Sequence, residues 1–155
     1  MIRMIVSVTR LHLISLWSFP TFFWHAMAST RQIRRAPGFI GGWLGGEGAY
    51  GQWTATVWES EAAMRAFRNS NAHLKAMPRL LGWCDEASYT HWEQDDATAP
   101  PADVIYERMA RDGKPSKVLR PSARHAAGKT VGEKRPRPGP VLRPKQPRAP
   151  GAAQA

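Results

Sequence analysis

The stretch Gln52-Trp53-Thr54-Ala55-Thr56-Val57-Trp58, followed by Glu59-Ser60-Glu61, decides the fold of this chain. Its β-branched and aromatic residues run without a breaker, so it reads as a strand. Side chains alternate along a strand, which puts Trp53, Ala55 and Val57 on one face and Gln52, Thr54, Thr56 and Trp58 on the other. Ser60 is a good helix N-cap, and Glu61 sits in the first turn, where the helix dipole favours an acid. A strand running directly into a helix is therefore expected here.

Toward the N-terminus, Met4 to Leu13 is rich in apolar and β-branched residues and reads as a first strand. Phe19-Pro20 opens a helix, with Pro near the first helical position, where its missing N–H costs nothing. Phe19, Phe23, Met27, Thr30 and Ile33 recur at helical spacing, and Ala36-Pro37-Gly38 stops the helix. Phe39 to Leu44 reads as a short strand and Gly45-Gly46-Glu47-Gly48 as a loop. Toward the C-terminus, Met64 and Phe67 mark a second helix, which Asn69-Ser70-Asn71 can break and re-cap. Pro78 breaks it again, Leu80 to Glu86 reads as a further helical turn, and Ala87 to Glu93 reads as a fourth strand. The order strand, helix, strand, strand, helix, strand is the ferredoxin-like α+β pattern βαββαβ. Two helices cover one sheet face. The fourth strand places Tyr89 and His91 on one side and Thr90 and Trp92 on the other, so large aromatics occupy both faces. A second copy of the sheet is the simplest cover for the second face, which predicts a homodimer.

The net charge of +10 over 155 residues is unevenly placed. Residues 1–112 hold 11 Lys+Arg and 11 Asp+Glu; residues 113–155 hold 11 Lys+Arg and the single acid Glu133. The organisation expected is a domain over 1–96, a linker with a short helix over 97–112, and a disordered, basic, Pro-rich tail over 113–155. That tail holds 8 of the 13 prolines and no aromatic residue, a composition that offsets little ordering entropy. The lone Cys84 excludes an internal disulfide and fits a reducing, cytoplasmic setting. It has no basic neighbour in sequence and reads as a buried thiol. Leu11 to Thr30 lacks charged residues, but His12, Ser15, Ser18, Pro20 and His25 interrupt it. A membrane span needs about 20 mostly apolar residues, so neither a span nor a cleaved signal is expected, and no membrane partner.

These residues resemble the dimeric α+β barrel superfamily, which includes the antibiotic biosynthesis monooxygenases. Ala36-Pro37-Gly38-Phe39 is similar to that group's start of strand two, and Thr56-Val57-Trp58-Glu59-Ser60 to its central signature. Within it, the set Thr54/Thr56, Trp58, Met64, Phe67, His73, Ala76, Trp83 and Glu86 is similar to the spheroidene monooxygenase branch and to bacterial domains near it. The resemblance covers residues 4–94. It implies a dimeric barrel and a monooxygenase-like activity, with haem as the cofactor where there is one. Haem-degrading members use an Asn on strand one, a Trp on helix two and an axial His after it; the matching positions here are Ser7 or Thr9, Phe67 and Met77, and none is kept.

His73 is the leading candidate for catalysis, as a base or as a haem ligand. With one continuous helix it faces solvent; with a helix re-capped at Ser70 it can turn inward. Trp58, Thr54, Thr56, Arg10 and His91 are the candidates for substrate binding. Trp58 ends the central strand, and the seven Trp, all within residues 17–92, suit either an aromatic pocket or a core and interface. His91 and His12 lie on strands, where hydrogen-bonded structure and ligand binding are both open readings. Arg10, among apolar neighbours, needs an anionic partner: a carboxylate such as Glu93, a substrate, or a haem propionate. No HxH, HExxH or CxxC spacing occurs, so no metal site is expected. Three functions follow: a monooxygenase acting on a hydrophobic, conjugated small molecule; a non-catalytic homodimer that binds a small ligand or haem; and polyanion binding through the basic tail.

Overall fold

The computed structural model describes residues 3–145, with the backbone alone at Asn71, Ala72, His73 and Leu80. The chain folds as β1 (Met4–Leu13), α1 (Phe19–Arg35), β2 (Phe39–Glu47), β3 (Gly51–Trp58), α2 (Glu61–Arg68), α3 (Asn71–Trp83) and β4 (Cys84–Gln94). Then come α4 (Ala102–Asp112), β5 (Lys114–Pro115), α5 (Ala123–Ala126) and β6 (Arg137–Leu142). A 3-10 turn, Leu16–Ser18, leads into α1. The six strands form one sheet in the order β5-β4-β1-β3-β2-β6, every neighbouring pair antiparallel. Its inner four strands have the ferredoxin-like order, and the chain is α+β as the sequence indicates.

Local chemistry sets the boundaries. The Ser60 hydroxyl accepts from the Ala63 N–H at 3.1 Å and caps α2. The α1-to-β2 turn needs Gly38: its φ is +83°, and a Cβ there would lie 2.5 Å from that of Ala63. The second helix divides between Arg68 and Asn71. From α1, Gln32 Nε2 donates into that break, to the Ser70 carbonyl and hydroxyl, both at 2.8 Å. Two boundaries differ from the sequence reading. The glycine-rich run expected as a loop is paired strand, with Gly45 opposite Trp53 and Gly46 opposite Gln52. Pro78 lies within α3, which continues to Trp83, where β4 begins at once.

Helices α1, α2 and α3 lie on one face of the sheet. The other face carries Val6 and Val8 of β1, Trp43 of β2, and Trp53, Ala55 and Val57 of β3, and Ile105 and Met109 of α4 close over them. The face that invites a second copy is therefore covered by this chain's own fourth helix. The α4 stripe contributes two fully buried side chains to this cluster, Ile105 and Met109.

The expectation of an unpacked tail is corrected for residues 113–145. Strand β6 pairs with β2, Leu142 opposite Gly42 and Val141 opposite Trp43. Leu142 is buried with Phe39 and Trp58, and Val118 with Leu13 and Cys84. Polar groups add to the hold: Ser88 Oγ donates to the Thr130 carbonyl at 2.7 Å, Thr130 Oγ1 to the Met109 carbonyl at 2.8 Å, and Tyr106 to the Gly132 carbonyl at 2.7 Å. Prolines are compatible with this because Pro138 and Pro140 lie on an outermost strand. The part of the expected tail over 146–155 lies outside the described residues.

Candidate functional site

Strand register decides which polar groups meet on the helix-covered face. Ser7 of β1 lies opposite Thr56 on one side and His91 on the other; Thr9 lies opposite Thr54 and Tyr89. Six polar side chains thus form two rows across the middle of the sheet, Thr56–Ser7–His91 and Thr54–Thr9–Tyr89. Ser7, Thr9 and Thr54 are half-buried, Thr56 is buried, and Tyr89 and His91 are exposed toward the β4 side. Apolar clusters stand at either end of this strip. One contains Ile5, Ile33, Phe39, Trp58, Met64 and Leu142; the other contains Leu13, Cys84, Ala87 and Val118, with Phe22 and Trp83 against it. The helical layer is therefore anchored at both ends of a floor whose middle is hydroxylic.

Trp58 belongs to the first cluster. It is 1% exposed, packs against Phe39 and Phe67, and donates from its indole N–H to Thr56 Oγ1 at 2.9 Å. Thr56 in turn donates to the Ser7 carbonyl at 3.3 Å. Trp58 thus forms one wall of the strip and fixes the Thr56 hydroxyl. His73 falls in the first turn of α3, just past the division at Ser70; its imidazole is among the side chains outside the described set.

Arg10 points to the opposite face and is not part of the strip. It is 2% exposed and ion-paired twice: Nη2 with Glu47 Oε2 and Nη1 with Glu86 Oε2, both at 2.7 Å. Its Nε also donates to Glu47 Oε1 at 3.2 Å, which completes a bidentate pair. The anionic partners are Glu47 and Glu86, while Glu93 pairs with Arg3. The remaining carboxylate valences are filled by Trp53 Nε1 on Glu47 and Ser122 Oγ on Glu86. Burial pulls the Arg10 guanidinium down, but hydrogen bonds and charge from Glu47 and Glu86 raise it above its ordinary value. Burial likewise pushes Glu86 up, and the Arg10 and Ser122 hydrogen bonds outweigh this, holding it below the usual glutamate range. Gly132 lies over the pair: a Cβ there would sit 2.9 Å from both Arg10 Nη2 and Glu47 Oε2. A side chain at that position would have to displace the ends of Arg10 and Glu47.

Beside it, His12 Nδ1 meets Asp85 Oδ1 at 2.7 Å, and His12 lines a cleft of about 360 Å³ that also reaches Tyr50, Arg124 and Lys134. A second groove, of about 630 Å³, runs between the end of α1 and α2 past Arg31, Arg35, Gly38, Glu59 and Phe67. Sequence reasoning named His12 without its acid, because the partner is 73 residues away and only register brings it near. Burial, then the charge of Asp85, pushes the Cys84 thiol up to about 12, which leaves it protonated and unreactive at neutral pH. Among the described residues, no group of three or more His, Cys, Asp or Glu is placed to hold a metal ion.

A haem would need an apolar slot with an axial donor. Among the described side chains this face offers a hydroxylic floor and two imidazoles, His91 exposed on β4 and His25 of α1 against Trp83.

No protein-family model matches this chain, and no curated protein matches it. Among solved structures it is similar to a conserved protein from Methanosarcina mazei Go1, with 14% identity, a TM-score of 0.53, and coverage of 59% of this chain and 92% of that one. It is similar to a Nitrosomonas europaea protein of unknown function at 12% identity and a TM-score of 0.53, covering 64% and 97%. It is also similar to a Pseudomonas aeruginosa protein at 9% identity and a TM-score of 0.51, covering 60% and 95%. At these identities the likeness establishes the fold alone: an α+β domain of the βαββαβ type.

Proposed function

We propose that the chain binds a hydrophobic small molecule between its α1–α3 layer and the polar strip of the sheet, and that it acts there as a monooxygenase-like enzyme. One observation carries the binding reading. A sheet face under helices normally holds continuous apolar packing, whereas here two apolar clusters are separated by Ser7, Thr9, Thr54, Thr56, Tyr89 and His91. Apolar walls with a few convergent polar groups are what an apolar ligand with one polar end requires. The oxygenase reading rests on the resemblance of Ala36-Pro37-Gly38-Phe39 and Thr56-Val57-Trp58-Glu59-Ser60 to the antibiotic biosynthesis monooxygenases, with the spheroidene branch as its finer form.

In this reading Thr54, Thr56 and His91 orient the ligand's polar end, and Trp58 holds the Thr56 hydroxyl in place. His73, in the first turn of α3, is the base in this reading. Dioxygen is the oxidant and the conjugated substrate supplies the electrons, so an activated CH2 plus O2 gives a carbonyl plus water.

The test fills the strip. Ser7→Leu with Thr54→Leu should abolish binding of a polycyclic quinol or polyene, followed by fluorescence quenching, and leave the thermal midpoint within a few degrees. Retained binding in that variant would sink the pocket. Binding retained with turnover unchanged in His73→Ala would remove His73 from the reaction.

A further inference from the structure

The outer surface of the helical layer is apolar where solvent-facing helices are usually polar. The 3-10 turn and α1 expose Leu16, Trp17, Phe19, Phe23, Trp24 and Met27, with Trp17 92% and Trp24 74% exposed. On the neighbouring α3, Leu74 and Met77 are exposed too. On the 3-10 turn, α1 and α3 the charge is of one sign. The 3-10 turn, α1 and α3 contain no Asp or Glu, and carry Arg31, Arg34, Arg35, Lys75 and Arg79. The basic C-terminal segment adds to it: Arg34 Nε donates to the Arg143 carbonyl, and the Lys145 N–H donates to the Arg34 carbonyl, so both residues run past the end of α1.

Exposed tryptophan and phenylalanine beside arginine and lysine, with no acid among them, complements an anionic lipid surface. Tryptophan seats at the headgroup level, and each cation gains from the negative surface potential. Self-association through the same layer would set five cations of one copy against five of another, which like-charge repulsion opposes. No described helix is long and apolar enough to cross a membrane, so adsorption rather than insertion is the available mode.

We infer that the outer surface formed by the 3-10 turn, α1 and α3 docks on an anionic phospholipid bilayer, with Trp17 and Trp24 as its anchors. The inference does not rest on the small-ligand reading, and a variant released from vesicles that still binds the ligand separates the two. The experiment is co-sedimentation of the full chain with vesicles of phosphatidylcholine alone and of phosphatidylcholine with phosphatidylglycerol. Binding is expected on the second only, and should weaken as salt is added. Trp17→Ser with Trp24→Ser should remove it; both side chains face solvent, so circular dichroism should be unchanged. Arg31→Gln with Arg35→Gln should weaken it about 25-fold, at about fivefold per cation. No binding to phosphatidylglycerol vesicles, equal binding to both vesicles, or variants that bind like the wild type would overturn the proposal. A wild type that self-associates in sedimentation velocity, with the Trp pair abolishing that association instead of vesicle binding, would overturn it in favour of a second copy.

Discussion

The two faces of the sheet are made from the same strands and treated in opposite ways. Under α4, Val6, Val8, Trp43, Trp53, Ala55 and Val57 form one continuous cluster with Ile105 and Met109, and the charges buried among the described residues are closed into a fully bonded Arg10–Glu47–Glu86 set. Under α1–α3 the packing is split in two by hydroxyls and an imidazole, and the helices above expose aromatics. Alternate residues of one strand therefore have different surroundings: Trp53 is core, and its neighbour Thr54 lies in the polar strip. The comparison teaches that one face is packed continuously under α4, whereas the other is packed only at its two ends, with a polar strip between them.

Removing the C-terminal segment, which packs into both apolar clusters of the helix-covered face, should have the largest effect. Truncation after Asp112 takes away Val118 and Leu142, which at about 1.5–3 kcal/mol per buried aliphatic side chain amounts to about 3–6 kcal/mol. Chemical denaturation should show the loss, and an unchanged midpoint would mean that the C-terminal segment contributes no packing. Arg10→Ala leaves two buried carboxylates without their cation and should cost about 3–5 kcal/mol. The same cluster predicts a pH dependence. The folded value of Glu86 is depressed, so its contribution is complete above the ordinary glutamate value of about 4.3 and is lost as pH falls through the lower folded value. Arg10→Ala should flatten that acid limb.

The neighbouring pair on β3 sharpens the contrast. Trp53→Ala and Trp58→Ala should each cost about 3–5 kcal/mol in denaturant titrations, as both are buried core aromatics. Thr54→Val should move stability by under about half a kcal/mol while weakening ligand binding. The smallest expected effect is chemical: Cys84 should resist alkylation at neutral pH in the native state and react only on unfolding, followed by mass spectrometry.

Much of this was legible before the strands were placed. The alternation of 52–58, the Ser60 cap and the Pro37-Gly38 stop each act within a few residues, so local sequence carries them. The strip was half legible: Thr54 and Thr56 share a face by periodicity alone, but Ser7 and Thr9 join them only through the β1–β3 register. Arg10 announced its need for an anion but not the identity of it, since Glu47 and Glu86 lie 37 and 76 residues away. The C-terminal segment misled because its composition is that of an unpacked chain. A few side chains, Val118, Thr130 and Leu142, together with one glycine over an ion pair, are enough to hold it, and composition averages them away.

Strand β6 has a consequence for how this protein behaves in a crowded solution. A sheet's last strand offers unpaired N–H groups to any passing chain, and extended pairing at that border is how fibrils begin. Here the border on the β2 side reads Arg137-Pro138-Gly139-Pro140-Val141-Leu142, with two positions that cannot donate and a cation at its start. On the far side, β5 is only Lys114–Pro115 and again ends in proline. The same prolines that give the segment the look of a loose tail thus terminate the sheet at both borders and oppose its growth by strand addition.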